Sequence, residues 1–287
     1  DWRVSVEINF KNNFLIDNCI HGVMTWPISD GVIGPCLRNY GEWSEGENII
    51  MSQFISDGDT VIDIGANIGT TVLSLSKQVG EKGKVLAFEP QSQIAQCLNT
   101  NLTLNGINNV IVDNAAISKK CGWAKINDKE FEESGRYGEA GISKDGTTKI
   151  RTINLDEIDL DSCSLIKIDI EGHEWDAIQG GKNFLKKHKP VLYMEAKKDE
   201  EGTKKFLKWF FDNEWVCYWH YAFWYRKNNY KNNSKLIHDP GIGDMNIVAV
   251  PENNKQPTNL LKLKSFDEEW NEKDLKEFYE LNNLAMI

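Results

Sequence analysis

The stretch that decides the architecture is Thr60-Val61-Ile62-Asp63-Ile64-Gly65-Ala66-Asn67-Ile68-Gly69. A short apolar strand runs into two glycines, and helical periodicity takes over from Ile68 to Val79. Working outward, Lys84–Phe88 is a second strand and a helix follows it through Asn105. Asn109–Asp113 is a third strand, Leu165–Ile170 a fourth and Val191–Glu195 a fifth, with helical stretches at 174–188 and 200–213. Strands alternating with helices of this length imply crossover connections, hence an α/β fold: a mostly parallel sheet with helices on both faces.

Three regions fall outside that rhythm. Residues 1–55 hold irregular strands and a helix near Glu47–Ile55. Residues 127–148 form a glycine-bearing loop that could serve as a lid. Aromatic strands begin at Trp215, followed by a strand at Met245–Val250 and a helix from Phe266 to Leu284. The expected division is an N-terminal extension over 1–55 packing on the catalytic domain, that domain over 56–252, and a C-terminal helical extension over 253–287.

With 33 basic and 43 acidic side chains in 287 residues the net charge is −10, so no basic surplus exists to hold a nucleic-acid backbone. No segment approaches the ~20 apolar residues of a membrane span, and no charged-then-apolar leader opens the chain. The six cysteines are widely spaced without a Cys-x-x-Cys pair, which points to neither a zinc finger nor a disulfide framework and makes a reducing cytoplasm the expected setting.

The turn after the first parallel strand is a nucleotide signal. Twenty residues beyond Gly69 stands Glu89, at the end of the second strand, where an acid accepts hydrogen bonds from ribose hydroxyls. A dinucleotide fingerprint needs a glycine where this chain has Asn67, which would crowd a pyrophosphate. Asp63 would repel a phosphate but suit an ammonium. A nucleoside with a cationic amino-acid tail is the expected ligand, which describes S-adenosylmethionine. An NAD-dependent oxidoreductase or epimerase, and a non-catalytic carbohydrate-binding protein on the same architecture, are the competing readings.

Asp63–Gly69, Ala87-Phe88-Glu89-Pro90, Asn105–Val110 and Lys167-Ile168-Asp169-Ile170-Glu171-Gly172-His173-Glu174 together resemble the FkbM family of class I methyltransferases. Gly41–Glu47 and Asn246–Pro251 look like further family segments. The resemblance implies a Rossmann-like sheet of seven strands with the cofactor at the carboxyl strand ends. It implies acceptor hydroxyls on glycans, glycolipids or macrolide-type molecules. Carried over by position, Gly65, Ala66, Asn67 and Gly69 form the turn around the methionine part, with Asp63 near its amino group and Glu89 on the ribose. Asp113, Asn114 and Ala115 fall where class I enzymes bind adenine, and Glu45 approaches the cofactor from the N-terminal side or caps its own helix.

A hydroxyl acceptor needs a base or a metal. Asp169, Glu171 and His173 after the fourth strand are the candidate catalytic groups, and Glu195 after the fifth is a candidate substrate contact. Asp169 and Glu195, with Glu171 and His173 nearby, offer ligands suited to a divalent ion, though nothing in the spacing requires one. Eleven aromatic residues lie between Trp209 and Tyr230. Most should fill core, and Trp219, Trp224 and Tyr225 are the ones expected to face a saccharide.

Overall fold

The computed structural model describes residues 14–127, 142–143, 145–196 and 201–268. The expected lid loop, apart from a few residues at its ends, and nearly all of the expected C-terminal helix lie outside the described residues. Five strands form the parallel core: β3 (Thr60–Ile64), β4 (Lys84–Phe88), β5 (Val110–Asp113), β9 (Leu165–Ile168) and β10 (Val191–Glu195). They stand in the order β5-β4-β3-β9-β10, all parallel. Beyond β10 come β12 (Gly243–Pro251), antiparallel to it, then β11 (Trp215–Phe223) and the two-residue β13 (Leu261–Lys262). The expected seven strands are therefore eight, the extra one being the short edge strand β13.

The connections are helical: α3 (Thr70–Gln78) and α4 (Ser92–Leu104) on one arm, α5 (Glu174–Gln179), α6 (Lys182–His188) and α7 (Glu201–Phe211) on the other. The chain builds outward from β3 through β4 to β5, then returns to β9 on the opposite side of β3. Right-handed crossovers therefore send the two sets of helices to opposite faces, and a crevice opens where the order reverses, between the loops after β3 and β9. The core strands are buried on both faces and read as near-continuous apolar runs, with Val61, Ile62, Val85, Leu165, Ile166 and Ile168 all buried. Asp63 and Lys167 interrupt those runs and are register partners across β3 and β9.

One expected helix is two. The 174–188 stretch breaks at Gly180-Gly181, because a Cβ at Gly180 would overlap the Ser118 carbonyl and one at Gly181 would press on the Leu155 side chain. Ser118 follows β6 (Ala116–Ile117), which with β7 (Gly122–Ile126) and β8 (Thr148–Ile153) makes a separate three-stranded sheet absent from the sequence reading. At the N-terminal side, the hairpin of β1 (Phe14–Cys19) and β2 (Gly22–Pro27) docks on α4. Wholly buried Asn101 accepts from the Thr25 amide at 2.7 Å and donates to the Thr25 and Ile68 carbonyls. Two helices follow, α1 (Ile33–Tyr40) and α2 (Glu45–Met51).

Candidate active site

The loops at the carboxyl strand ends are stitched together before any side chain is considered. Gly65 and Ala66 donate backbone hydrogen bonds to the Phe88 carbonyl, Glu89 to that of Asp113, and Asp169 to that of Ile64. Gly65 (φ +84°) and Gly69 (φ +93°) are in the left-handed region. A Cβ at Gly65 would overlap the Asp169 carbonyl, and one at Gly69 the Leu98 side chain. The glycines thus serve loop-on-loop and loop-on-helix packing, and Gly65 also lines the space beside the turn.

Glu89 is the tie between two of these loops. Its Oε2 accepts from the Asn67 amide at 2.9 Å and its Oε1 from the Gln91 amide at 2.8 Å. Asn67 reaches that donor position with φ +48°, and its own Oδ1 accepts from the Ile68 amide. Two adjoining spaces meet at Glu89. The smaller is an apolar slot walled by Phe88, Ala115, Ile117, Ile126 and Ile170. The larger is a cavity of about 330 Å³ whose polar lining includes Glu47, Lys167, Glu195, Asp244 and Asn246. Gly65, Glu89, Gln91, Asp169 and Glu171 line both.

Lys167 was not singled out from the sequence. It is buried on β9 with its ammonium 3.2 Å from Asp169 Oδ2 and 3.9 Å from Asp63 Oδ1. Burial alone would favour loss of its proton, but the carboxylates of Asp169, Asp63 and Glu47 outweigh burial and hold it charged, above the ordinary lysine range. Its signal was available: a lysine inside the apolar strand Leu165-Ile166-Lys167-Ile168, opposite an aspartate inside another.

This changes the role expected of Asp63. Its side chain is wholly inaccessible and lines neither space, so the ammonium it faces is the chain's own Lys167. Burial pushes its carboxyl up to about 6 against the pull of that lysine. Glu45 is likewise turned away. Its Oε2 is 2.7 Å from His21 Nε2 and accepts from Asn48 at 2.9 Å, and it lines neither space. Glu47, two residues along and so on the opposite side of the helix, lines the cavity instead. Burial raises its carboxyl to about 8, the Ser44 hydroxyl donating to it at 3.0 Å.

Of the residues expected around adenine, Ala115 lines the slot. Asn114 braces it from outside, donating to the Glu89 and Pro90 carbonyls and accepting from Ser92. Asp113 is ion-paired with Arg151 of β8 and lines neither space. After β9, Asp169 does not cap the next helix, which begins at Glu174. Glu174 accepts from the Ile170 and Gly172 amides, bracing the turn that carries Glu171 at φ +56°. His173 lines the slot, with Nε2 donating to the Ile142 carbonyl at 3.1 Å, and does not line the larger cavity.

The carboxylates of Asp169, Glu171 and Glu195 lie within 4.8 Å of one another and are the described groups whose oxygens could share a divalent ion; His173 is not among them. The aromatic expectation divides. Trp219 is buried in the core at 2% exposure, because its place on β11 turns it inward. Tyr225 stacks on Tyr40 at 5.2 Å and lines neither space. Trp224 lines the cavity beside Trp43, ring centroids 5.1 Å apart, and donates from Nε1 to Asp244 at 2.7 Å. Burial lifts the Asp244 carboxyl to about 7.

Residues 63–223, more than half of the chain, match the methyltransferase FkbM domain. The chain belongs to the FkbM methyltransferase family. The matching family is one of methyltransferases, not of NAD-dependent oxidoreductases or carbohydrate-binding proteins. The chain is 30% identical over 156 residues to the hexuronic acid methyltransferase AglP of Haloferax volcanii. The match covers 53% of this chain and 62% of that protein, less than two thirds of the relative's length. Among solved structures, an FkbM methyltransferase from Methylobacillus flagellatus KT aligns with a TM-score of 0.46 at 20% identity, over 68% of this chain and 44% of that one. TYW2 from M. jannaschii in complex with AdoMet aligns with a TM-score of 0.43 at 14% identity, over 84% and 87%. No helix among the described residues is long and apolar enough to cross a membrane.

Proposed function

We propose that the chain transfers a methyl group from S-adenosylmethionine to a hydroxyl of a sugar in a glycan or glycoconjugate. The observation that carries this reading is the junction at Glu89: a slot with apolar walls on one side, an acid-lined cavity with a tryptophan wall on the other. The residues present fit the cofactor. Ala115, Phe88 and Ile170 would flank the adenine, Glu89 would accept from the ribose hydroxyls, and Asp169, which lines both spaces, would face the methionine ammonium in place of Asp63. When bound, the cofactor supplies a methyl group on a sulfonium, and the protein's task is orientation and proton removal.

Glu171 and Glu195, clustered with Asp169, supply the base that accepts the acceptor's hydroxyl proton. Trp224 and Trp43 offer flat apolar surface to a pyranose face, with Asp244 and Asn246 beside them for its hydroxyls. That the relative AglP is named for a hexuronic acid supports a sugar acceptor here.

The test is calorimetric titration with S-adenosylhomocysteine, followed by transfer of labelled methyl to a panel of neutral hexosides, amino sugars and hexuronates. Glu89→Ala should weaken binding at least roughly tenfold, as expected for losing hydrogen bonds to a charged acceptor. Label in a sugar supports the reading. Tight binding of S-adenosylhomocysteine with label appearing only in non-sugar hydroxyl compounds refutes it.

A further inference from the structure

A fully buried lysine in the central strand of a sheet demands a reason, since burying an ammonium is costly unless it is paired. Lys167 comes from β9 and Asp63 from β3, paired in register, so their side chains leave the same face of the sheet at the same level. Among the described residues neither oxygen of Asp63 has a hydrogen-bond partner, and the Lys167 ammonium lies 3.9 Å from Oδ1. The ammonium sits closer to Asp169, at 3.2 Å, and donates to Oδ2. Asp169 is 44% exposed and borders both the slot and the cavity. Its backbone is fixed separately, by the hydrogen bond from its amide to the Ile64 carbonyl and by the close approach of Gly65.

An inaccessible carboxylate thus anchors an ammonium that in turn grips a carboxylate at the mouth of the site. We propose that Lys167, anchored by Asp63, is a positioning residue that holds the Asp169 carboxylate in one orientation at the junction of the two spaces. The proposal rests on the reading above that Asp169 faces the methionine ammonium. A carboxylate on a single-bonded side chain at a half-exposed position samples several rotamers. Pinning one of its oxygens from below removes that freedom before the ligand arrives, which is the general route by which preorganisation improves affinity. Asp63 contributes no ligand contact of its own in this arrangement; its effect passes through Lys167.

The test is a double-mutant cycle on the full chain, with S-adenosylhomocysteine affinity as the readout and thermal unfolding measured in parallel. Lys167→Met should weaken binding about tenfold in the parent and less than about twofold in an Asp169→Asn background, because the two groups act as a unit. Lys167→Arg, which keeps the charge, should recover most of the affinity. Should Lys167→Met fail to fold because it orphans the buried Asp63, the Asp63→Asn/Lys167→Met pair runs the same cycle. A Lys167 effect of equal size in both backgrounds overturns the positioning role, and so does an Arg variant that binds as weakly as the Met variant. Unchanged affinity in Asp169→Asn alone instead counts against Asp169 facing the cofactor, so failure of the underlying reading is told apart from failure of the inference.

Discussion

Individual carboxyl groups in the cavity carry a pH signature. Glu47 is the clearest: burial pushes its proton affinity up to about 8, with Lys167 and the Ser44 hydroxyl pulling the other way. A carboxyl raised in the folded state binds more protons folded than unfolded between its two pKa values. The stability it contributes is therefore complete below the unfolded value near 4.5 and is lost as pH rises through about 8. Glu47→Gln, isosteric and uncharged, should remove that loss. Melting temperatures of parent and variant measured from pH 5 to 9 should diverge in the variant's favour as pH rises, by about 2–4 °C for each kcal/mol at this chain length. Parallel curves would mean that Glu47 ionises without penalty.

At the scale of elements, the turn after β3 and the turn after α4 separate two costs of replacing a glycine. Gly65→Ala meets both a φ of +84° and an overlap with the Asp169 carbonyl. Gly106→Ala meets only a φ of +63°, with nothing within 4 Å of the new methyl. The second should cost about 1 kcal/mol in urea unfolding and the first several times more, together with cofactor affinity, since the displaced backbone carries Asp169. Equal costs would show that the loop yields freely. The elements around these turns show what sequence could reveal. β3, β4 and β10 were legible to the residue because each is a five-residue apolar run bounded by turn residues. The break at Gly180-Gly181 was not, because the two helices share one amphipathic pattern and the reason for the break, Ser118 and Leu155, comes from elsewhere in the chain. The place of Glu89 beside the turn follows from its spacing, whereas the Lys167 partner of Asp63 does not, because ammonium chemistry alone does not say whose ammonium. Trp219, Trp224 and Tyr225 have near-identical chemistry in sequence, and only strand register separates a core residue from a cavity wall.

At the scale of the whole molecule, the N-terminal segment and the β11–β12 connection are clasped by two ion pairs, Lys231–Asp17 and the more deeply buried Arg226–Glu42. Arg226 donates from Nε to Glu42 Oε1 at 2.7 Å and from a terminal nitrogen to Oε2 at 3.0 Å, and Oε2 also accepts from the Tyr230 amide. Glu42 is almost wholly buried, so removing its partner strands a charge. Arg226→Met should cost about 3–5 kcal/mol in chemical denaturation, far above an exposed ion pair such as Lys208–Asp212. A loss below about 1 kcal/mol would mean that water reaches Glu42 when the arginine leaves. Trp43 follows Glu42 directly and Trp224 precedes Arg226 by two residues, so the clasp also fixes the two rings that face each other across the cavity wall.

The paired glycines between α5 and α6 bear on the site from behind. They let the small sheet settle against the helix break through Ser118 and Leu155, and that sheet carries Ala116, Ile117 and Ile126, which wall the slot. The gauge of the slot is thus set by two residues that never meet what it holds. Bulk added at that break works as a shim, advancing the wall toward the opposite face, so the width of the slot has an adjusting point on its back side as well as inside it.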